Sequence, residues 1–122
     1  MAKKTILVID DEAGFVDVVK MRLEANDFKI ISAYDGETGL EKARRELPDL
    51  ILLDLVMPKL NGFDVLVKLK HDPHTANIPV IILTAKSETE HIMEAENLGA
   101  TDYIIKPASM QALLDLISKH LS

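Results

Sequence analysis

The sequence predicts an α/β fold in which a parallel sheet is covered by helices on both faces. Three observations lead there. Five short runs rich in Ile, Val and Leu mostly lack polar alternation, as strands buried on both faces do. Amphipathic stretches of helical period separate the runs, so strand and helix alternate along the whole chain. The chain has 122 residues, 48% of them hydrophobic and 28% charged, which are values of one globular domain spanning residues 1–122. A chain of about this length buries roughly two-thirds of its unfolded surface and needs no covalent staple.

The elements follow in order. Thr5–Ile9 is the first strand. Phe15, Val18, Val19 and Leu23 then recur at helical spacing and predict the first helix. Residues 28–33 form the second strand, and Tyr34-Asp35-Gly36 reads as a turn. Leu40, Ala43 and Leu47 mark the second helix, and residues 50–53 the third strand. Phe63, Leu66 and Val67 mark the third helix. A polar stretch, residues 71–77, reads as a loose loop with His71 and His74 solvated. Residues 78–83 are the fourth strand. Ile92, Ala95 and Leu98 give a weaker helix that Gly99 stops. Residues 102–105 are the fifth strand, and Met110, Leu113, Leu114, Ile117 and Leu121 give a clear last helix. Every stripe is read as core packing. No linker, low-complexity tract or internal repeat interrupts the pattern.

Composition removes several function classes. Cysteine is absent, which excludes a disulfide scaffold, a zinc-thiolate site, an iron–sulfur cluster and a thiol nucleophile. The net charge is −6, so the domain is a poor ligand for nucleic acid or an anionic membrane. Aromatics are only 4% and tryptophan is absent, leaving little for base stacking. The first apolar run is too short for a signal peptide, and no segment approaches the ~20 apolar residues of a spanning helix. The expectation is a cytoplasmic protein.

In open α/β sheets, ligands bind beyond the carboxyl ends of the strands, where strand order reverses. Asp10, Asp11 and Glu12 follow the first strand, Asp54 the third, Thr84 the fourth and Lys106 the fifth. Singly, each has a bland reading. Asp10 or Asp11 serves as a helix cap, Asp54 starts a turn, Thr84 ends a strand and Lys106 is solvated. Jointly they put carboxylates, a hydroxyl and an amine at one sheet edge. Packed carboxylates repel until a proton or a cation neutralises one of them. Hard oxygen ligands suit Mg²⁺, which favours sites that also bind phosphate. Lys106 supplies positive charge and Thr84 a hydrogen-bond donor. The set reads as a phosphoryl-transfer site with a carboxylate as covalent acceptor.

These residues resemble the receiver domain of two-component response regulators. The likeness runs from Lys4 to Leu121. It rests on Ile6-Leu-Val-Ile-Asp10-Asp11-Glu12, Ile51-Leu-Leu-Asp54-Leu-Val-Met-Pro58, Asn61-Gly62, Pro79 through Thr84-Ala85, Gly99-Ala100 and Asp102-Tyr103-Ile-Ile-Lys106-Pro107. The resemblance implies a flavodoxin-like (βα)5 fold, a doubly wound parallel sheet of strand order 2-1-3-4-5. It implies Asp54 as phosphoacceptor. Asp11, Asp54 and the Val56 carbonyl would bind Mg²⁺ (or Mn²⁺) directly, with Asp10 acting through water. Lys106 would pair first with the Asp54 carboxylate and then with the phosphoryl group, Thr84 would move toward that group, and Tyr103 would turn inward. A cis Lys106–Pro107 peptide would aim Lys106 at the site. Val56 and Lys86 occupy positions that tune the lifetime of the acyl phosphate.

The implied donor is a phosphohistidine on a sensor histidine kinase or histidine phosphotransfer protein. The implied output is a downstream effector protein or a fused output domain, read through the face of the fourth helix, fifth strand and fifth helix. A phosphorylation-dependent homodimer is a further implied partner. The chain would turn over no external substrate, catalysing only its own phosphorylation and slow dephosphorylation. Rival readings fit less well. An aspartyl-phosphate phosphatase needs Asp-x-Asp after the first strand, where Asp10 and Asp11 are adjacent. A flavin site needs a phosphate loop where Asp-Asp-Glu would repel phosphate. The remaining alternative is a degenerate receiver that docks partners unphosphorylated. The chain closes directly after the last helix, which leaves a stand-alone receiver and a part of a longer regulator equally open.

Overall fold

The computed structural model describes residues 3–57, 61–85, 90–106 and 109–121. The element order is β1 (Thr5–Ile9), α1 (Ala13–Glu24), β2 (Lys29–Ala33), α2 (Gly36–Glu46), β3 (Leu50–Asp54), α3 (Gly62–His71), β4 (Val80–Ala85), α4 (Ile92–Asn97), β5 (Asp102–Lys106) and α5 (Met110–Leu121). The strands form one sheet of order β2-β1-β3-β4-β5. Every pairing is parallel. This is the flavodoxin-like architecture expected from the sequence.

The unalternating runs acquire a physical meaning here. Side chains on a strand point to opposite faces in turn. Leu7, Ile9, Ile51 and Leu53 pack on one face with Leu40, Ala43, Val65, Leu66 and Leu69 of α2 and α3. Ile6, Val8, Leu50, Leu52, Ile81 and Leu83 pack on the other with Val16, Val19, Leu23, Leu113 and Ile117 of α1 and α5. Central strands must therefore be apolar at every position. The edge strands β2 and β5 are only partly buried, and their sequences carry Lys29, Ser32, Asp102 and Lys106. Each Leu or Ile fully removed from water contributes about 1.5–3 kcal/mol.

Two expected core residues lie outside it. Val18 is 49% exposed, because α1 buries the Val16–Val19–Leu23 stripe instead. Leu47 is 52% exposed. It precedes Pro48, which disfavours further helix, and it leaves α2 in the left-handed region at φ 46°. Val67 is half-buried, and α3 instead buries Val65, Leu66 and Leu69. The Tyr34-Asp35-Gly36 turn is the start of α2, with the Asp35 carboxylate accepting from the Thr38 N–H at 2.8 Å.

The 71–77 segment is tied down rather than loose. The buried Thr75 hydroxyl donates to the Leu69 carbonyl at 2.7 Å, and Lys70 Nζ donates to the Ala76 and Ile78 carbonyls at 3.0 and 2.9 Å. His71 and His74 are exposed, as expected. Gly99 sits at φ 106° just past α4, a conformation that L side chains resist, and so it stops the helix. Among the described residues, no helix is long and apolar enough to cross a membrane.

Candidate functional site

Strand order reverses between β1 and β3, and the carboxyl ends of all five parallel strands share one edge. Three strands run further than the sequence predicts, so that Asp54 and Lys106 are the last residues of β3 and β5 and Thr84 lies inside β4. Asp10 follows β1 directly. Its backbone N–H donates to the Ala33 carbonyl at 3.1 Å, extending the pairing to β2 by one residue. Its side chain is fully buried. One carboxylate oxygen accepts the Glu12 N–H at 2.9 Å, and the other accepts Lys106 Nζ at 2.6 Å. The cap position of α1 is Glu12, whose side chain makes no cap bond. The bland reading of Asp10 and Asp11 as helix caps therefore fails.

Asp54 is 5% exposed. Its Oδ1 accepts the Val56 N–H at 3.2 Å, while Oδ2 stands 3.8 Å from Lys106 Nζ. Its backbone is pinned from behind by α3. Asn61 caps that helix by accepting from the Asp64 N–H at 3.1 Å, and the Gly62 N–H donates to the Leu55 carbonyl at 2.8 Å. A Cβ on Gly62 would lie 2.2 Å from the Asp54 carbonyl oxygen, so only glycine permits this approach.

The electrostatics follow from this crowding. Burial, and then the charge of Asp10, pushes the Asp54 carboxyl up to about 7. Lys106 and the Val56 N–H pull the other way, and Asp11 adds a smaller upward push. Burial opposes the Lys106 ammonium, but its bonds to Asp10 and to Glu12 (2.9 Å) override burial and hold its pKa above the ordinary lysine value. The Phe15 ring covers the ammonium, with Nζ 4.5 Å from the ring centroid.

Carboxylate oxygens of Asp10, Glu12 and Asp54 lie within 4.8 Å of one another, a group able to hold a metal ion. The set is all hard oxygen, and a buried carboxyl raised to about 7 is one that a divalent cation would relieve. The site residues thus fit a hard cation. Asp11 is exposed and stands outside this group, acting on Asp54 through its charge.

Comparison with known proteins settles the family. The response regulator receiver domain profile matches residues 6–118. The chain belongs to the response regulator receiver domain family. It is 43% identical over 113 residues to the "Probable transcriptional regulator ycf27" of Porphyridium aerugineum, covering 93% of this chain and 46% of that protein. The chain spans less than half the length of the curated relatives it matches. Among solved structures it is similar to Vibrio cholerae chemotaxis protein CheY4, with TM-score 0.92, 27% identity and coverage of 98% of this chain and 100% of that chain. It is also similar to the N-terminal domain of a response regulator receiver protein from Methanoculleus marisnigri JR1, with TM-score 0.76, 38% identity and coverage of 97% and 96%.

The remaining expected residues of the receiver fall as follows. Thr84 is buried one residue beyond Leu83, the cross-strand partner of Asp54, and its hydroxyl donates to the Ala85 carbonyl at 3.3 Å. Tyr103 on β5 is 40% exposed. Val56 is half-exposed beside Asp54. Pro58, Lys86 and Pro107, and with Pro107 the expected cis peptide, lie outside the described residues. Sequence reasoning counted Glu12 among the strand-end carboxylates but missed its bond to Lys106, 94 residues away. It read Phe15 as core alone, and it quoted Gly62 without its reason. A glycine opening a helix just after a strand-end acid was the available signal.

Proposed function

We propose that the receiver is a phosphoacceptor switch in two-component signalling or a phosphorelay. The observation that carries this reading is the buried Asp54, raised to about 7 and flanked by Asp10 and Lys106 at the switch point of the sheet. Asp54 is the acceptor. Asp11, Asp54 and the Val56 carbonyl would hold Mg²⁺ (or Mn²⁺) directly, with Asp10 acting through water. The support is the nearby acidic group of Asp10, Glu12 and Asp54, to which Asp11 adds its charge. When bound, the cation neutralises charge on the transferring phosphoryl group.

In the transfer, an Asp54 carboxylate oxygen attacks phosphorus in line. The new O–P bond forms as the P–N bond of a phosphohistidine breaks, and its electron pair stays on the imidazole nitrogen. Lys106 then pairs with the phosphoryl oxygens. Water later attacks phosphorus, the Asp54 O–P bond breaks, and the carboxylate is regenerated as inorganic phosphate leaves. The chain slowly reverses its own phosphorylation and acts as a switch. The product carries about −1.5 to −2 added charge and three acceptor oxygens. Thr84 satisfies one of them, and Tyr103 follows inward, biasing a two-state fold toward the form that partners read at α4, β5 and α5. The donor is a sensor histidine kinase or histidine phosphotransfer protein, and the output is an effector or fused domain. A homodimer of the phosphorylated form is a further output. The site of action is the cytoplasm.

Intact mass after incubation with acetyl phosphate tests the reading. The expected result is one added phosphoryl group in Mg²⁺ and none in EDTA. No gain from either acetyl phosphate or a phosphohistidine protein would favour a docking module instead.

A further inference from the structure

We propose that Glu12 is a positioning residue that holds Lys106 off Asp54 until a phosphoryl group arrives. The inference rests on the phosphoacceptor reading and adds a residue to it. Lys106 has three N–H donors. Two are spent, on Asp10 at 2.6 Å and Glu12 at 2.9 Å, while Asp54 stands at 3.8 Å, beyond hydrogen-bond reach. The Phe15 ring covers a further side of the ammonium. Two of these contacts, Glu12 and Phe15, come from the start of α1, so the ammonium's hydrogen bonds go to Glu12 and Asp10 and Asp54 keeps only an ion pair at 3.8 Å.

Glu12 is placed for this by the loop itself. The Asp10 oxygen that does not take Lys106 accepts the Glu12 N–H, fixing the turn that brings the Glu12 carboxylate to Lys106. The helix dipole favours an acidic residue here but does not direct its carboxylate to Lys106. The cap position favours Ser, Thr, Asp or Asn, and Glu12 makes no cap bond.

The contact is also built to break. The Lys106 side chain is 14% exposed, but that of Glu12 is 63% exposed, so water screens the pair. A phosphoryl group on Asp54 outbids a single exposed carboxylate for the ammonium. Glu12 therefore favours the unphosphorylated state and slows entry of the phosphoryl group. An exposed pair of this kind shifts a rate or equilibrium by about two- to fivefold.

The test compares the wild-type chain with Glu12→Gln, using Glu37→Gln on α2 as a remote control. Two readouts are needed. The first is the Lys106 ammonium nitrogen resonance in the metal-free protein. The second is the rate of phosphorylation by acetyl phosphate at saturating Mg²⁺, which removes any effect on metal affinity. The expected result is a shifted Lys106 resonance and a rate raised about two- to fivefold in Glu12→Gln, with neither change in the control. An unmoved resonance, or a rate equal to or below wild type, would overturn the proposal. A wild-type chain that takes no phosphoryl group would defeat the phosphoacceptor reading itself, and the resonance would then decide the Lys106–Glu12 contact separately.

Discussion

A carboxyl group that stays half-protonated near neutrality strains the fold that buries it, and Asp54 is such a group. Its pKa in the unfolded chain is that of an ordinary aspartate, and folding raises it to about 7. Below the ordinary value both states hold the proton, and nothing is lost. As pH rises, the unfolded chain ionises first, so stability falls until about pH 7 and then levels. Asp54→Asn removes this penalty. The variant should gain stability in metal-free buffer, with an advantage that grows from pH 4 to pH 8 on the order of 2–4 kcal/mol. Urea unfolding across that range checks it, and a pH-independent difference would contradict the origin assigned to the strain. In the proposed reading, Mg²⁺ entering the site would have to displace the same proton. Its affinity, followed by calorimetry, should weaken as pH falls through about 7 and be flat above. At this scale the sequence was informative where a polar residue ends an apolar run, which exposed Asp10, Asp54, Thr84 and Lys106. It was silent on contacts such as Glu12 with Lys106, because the partners lie 94 residues apart and meet only through the sheet.

Elements place these side chains, and α3 does so most directly. Its first residue, Gly62, touches the Asp54 backbone where a Cβ would collide at 2.2 Å. Gly62→Ala must push α3 off β3 or bend the strand end. It should lose about 1–3 kcal/mol in urea unfolding and slow phosphorylation from acetyl phosphate. Retained stability together with an unchanged rate would show that the contact does not position the acceptor. The cap of α2 is a milder case. Asp35→Ala removes the bond to the Thr38 N–H and should cost about 1 kcal/mol by the same measurement, leaving the phosphorylation rate untouched. Element existence was legible from periodicity, but element ends were not. A stripe of period 3.6 admits neighbouring choices, and α1 turned Val16 inward where Val18 also fitted the pattern. Leu47 looked like a core residue because the strain imposed by Pro48 does not enter a hydrophobic count.

The whole molecule is two cores divided by one sheet, with a polar seam along the carboxyl edge. Both cores draw on β1 and β3, so these strands should resist opening most. Backbone hydrogen exchange should be slowest in β1, β3 and β4 and faster in the edge strands β2 and β5, and protection centred on an edge strand would contradict the sheet order. This scale was the most legible of the three. Runs of β-branched and leucine residues buried on both faces require a covered parallel sheet, and right-handed crossovers leave few topologies. The seam follows from the topology, since parallel strands bring all their carboxyl ends together. The central claim is that this seam makes Asp54 the phosphoacceptor, and its chemistry offers one direct measurement. An acyl phosphate is reduced by borohydride, converting an aspartyl phosphate to homoserine. The protein is phosphorylated with acetyl phosphate and Mg²⁺, reduced and mapped by peptide mass spectrometry. The account predicts homoserine at position 54 alone, absent after EDTA. Homoserine at Asp10 or Asp11, or a Mg²⁺-dependent label on the Asp54→Asn protein, would contradict it.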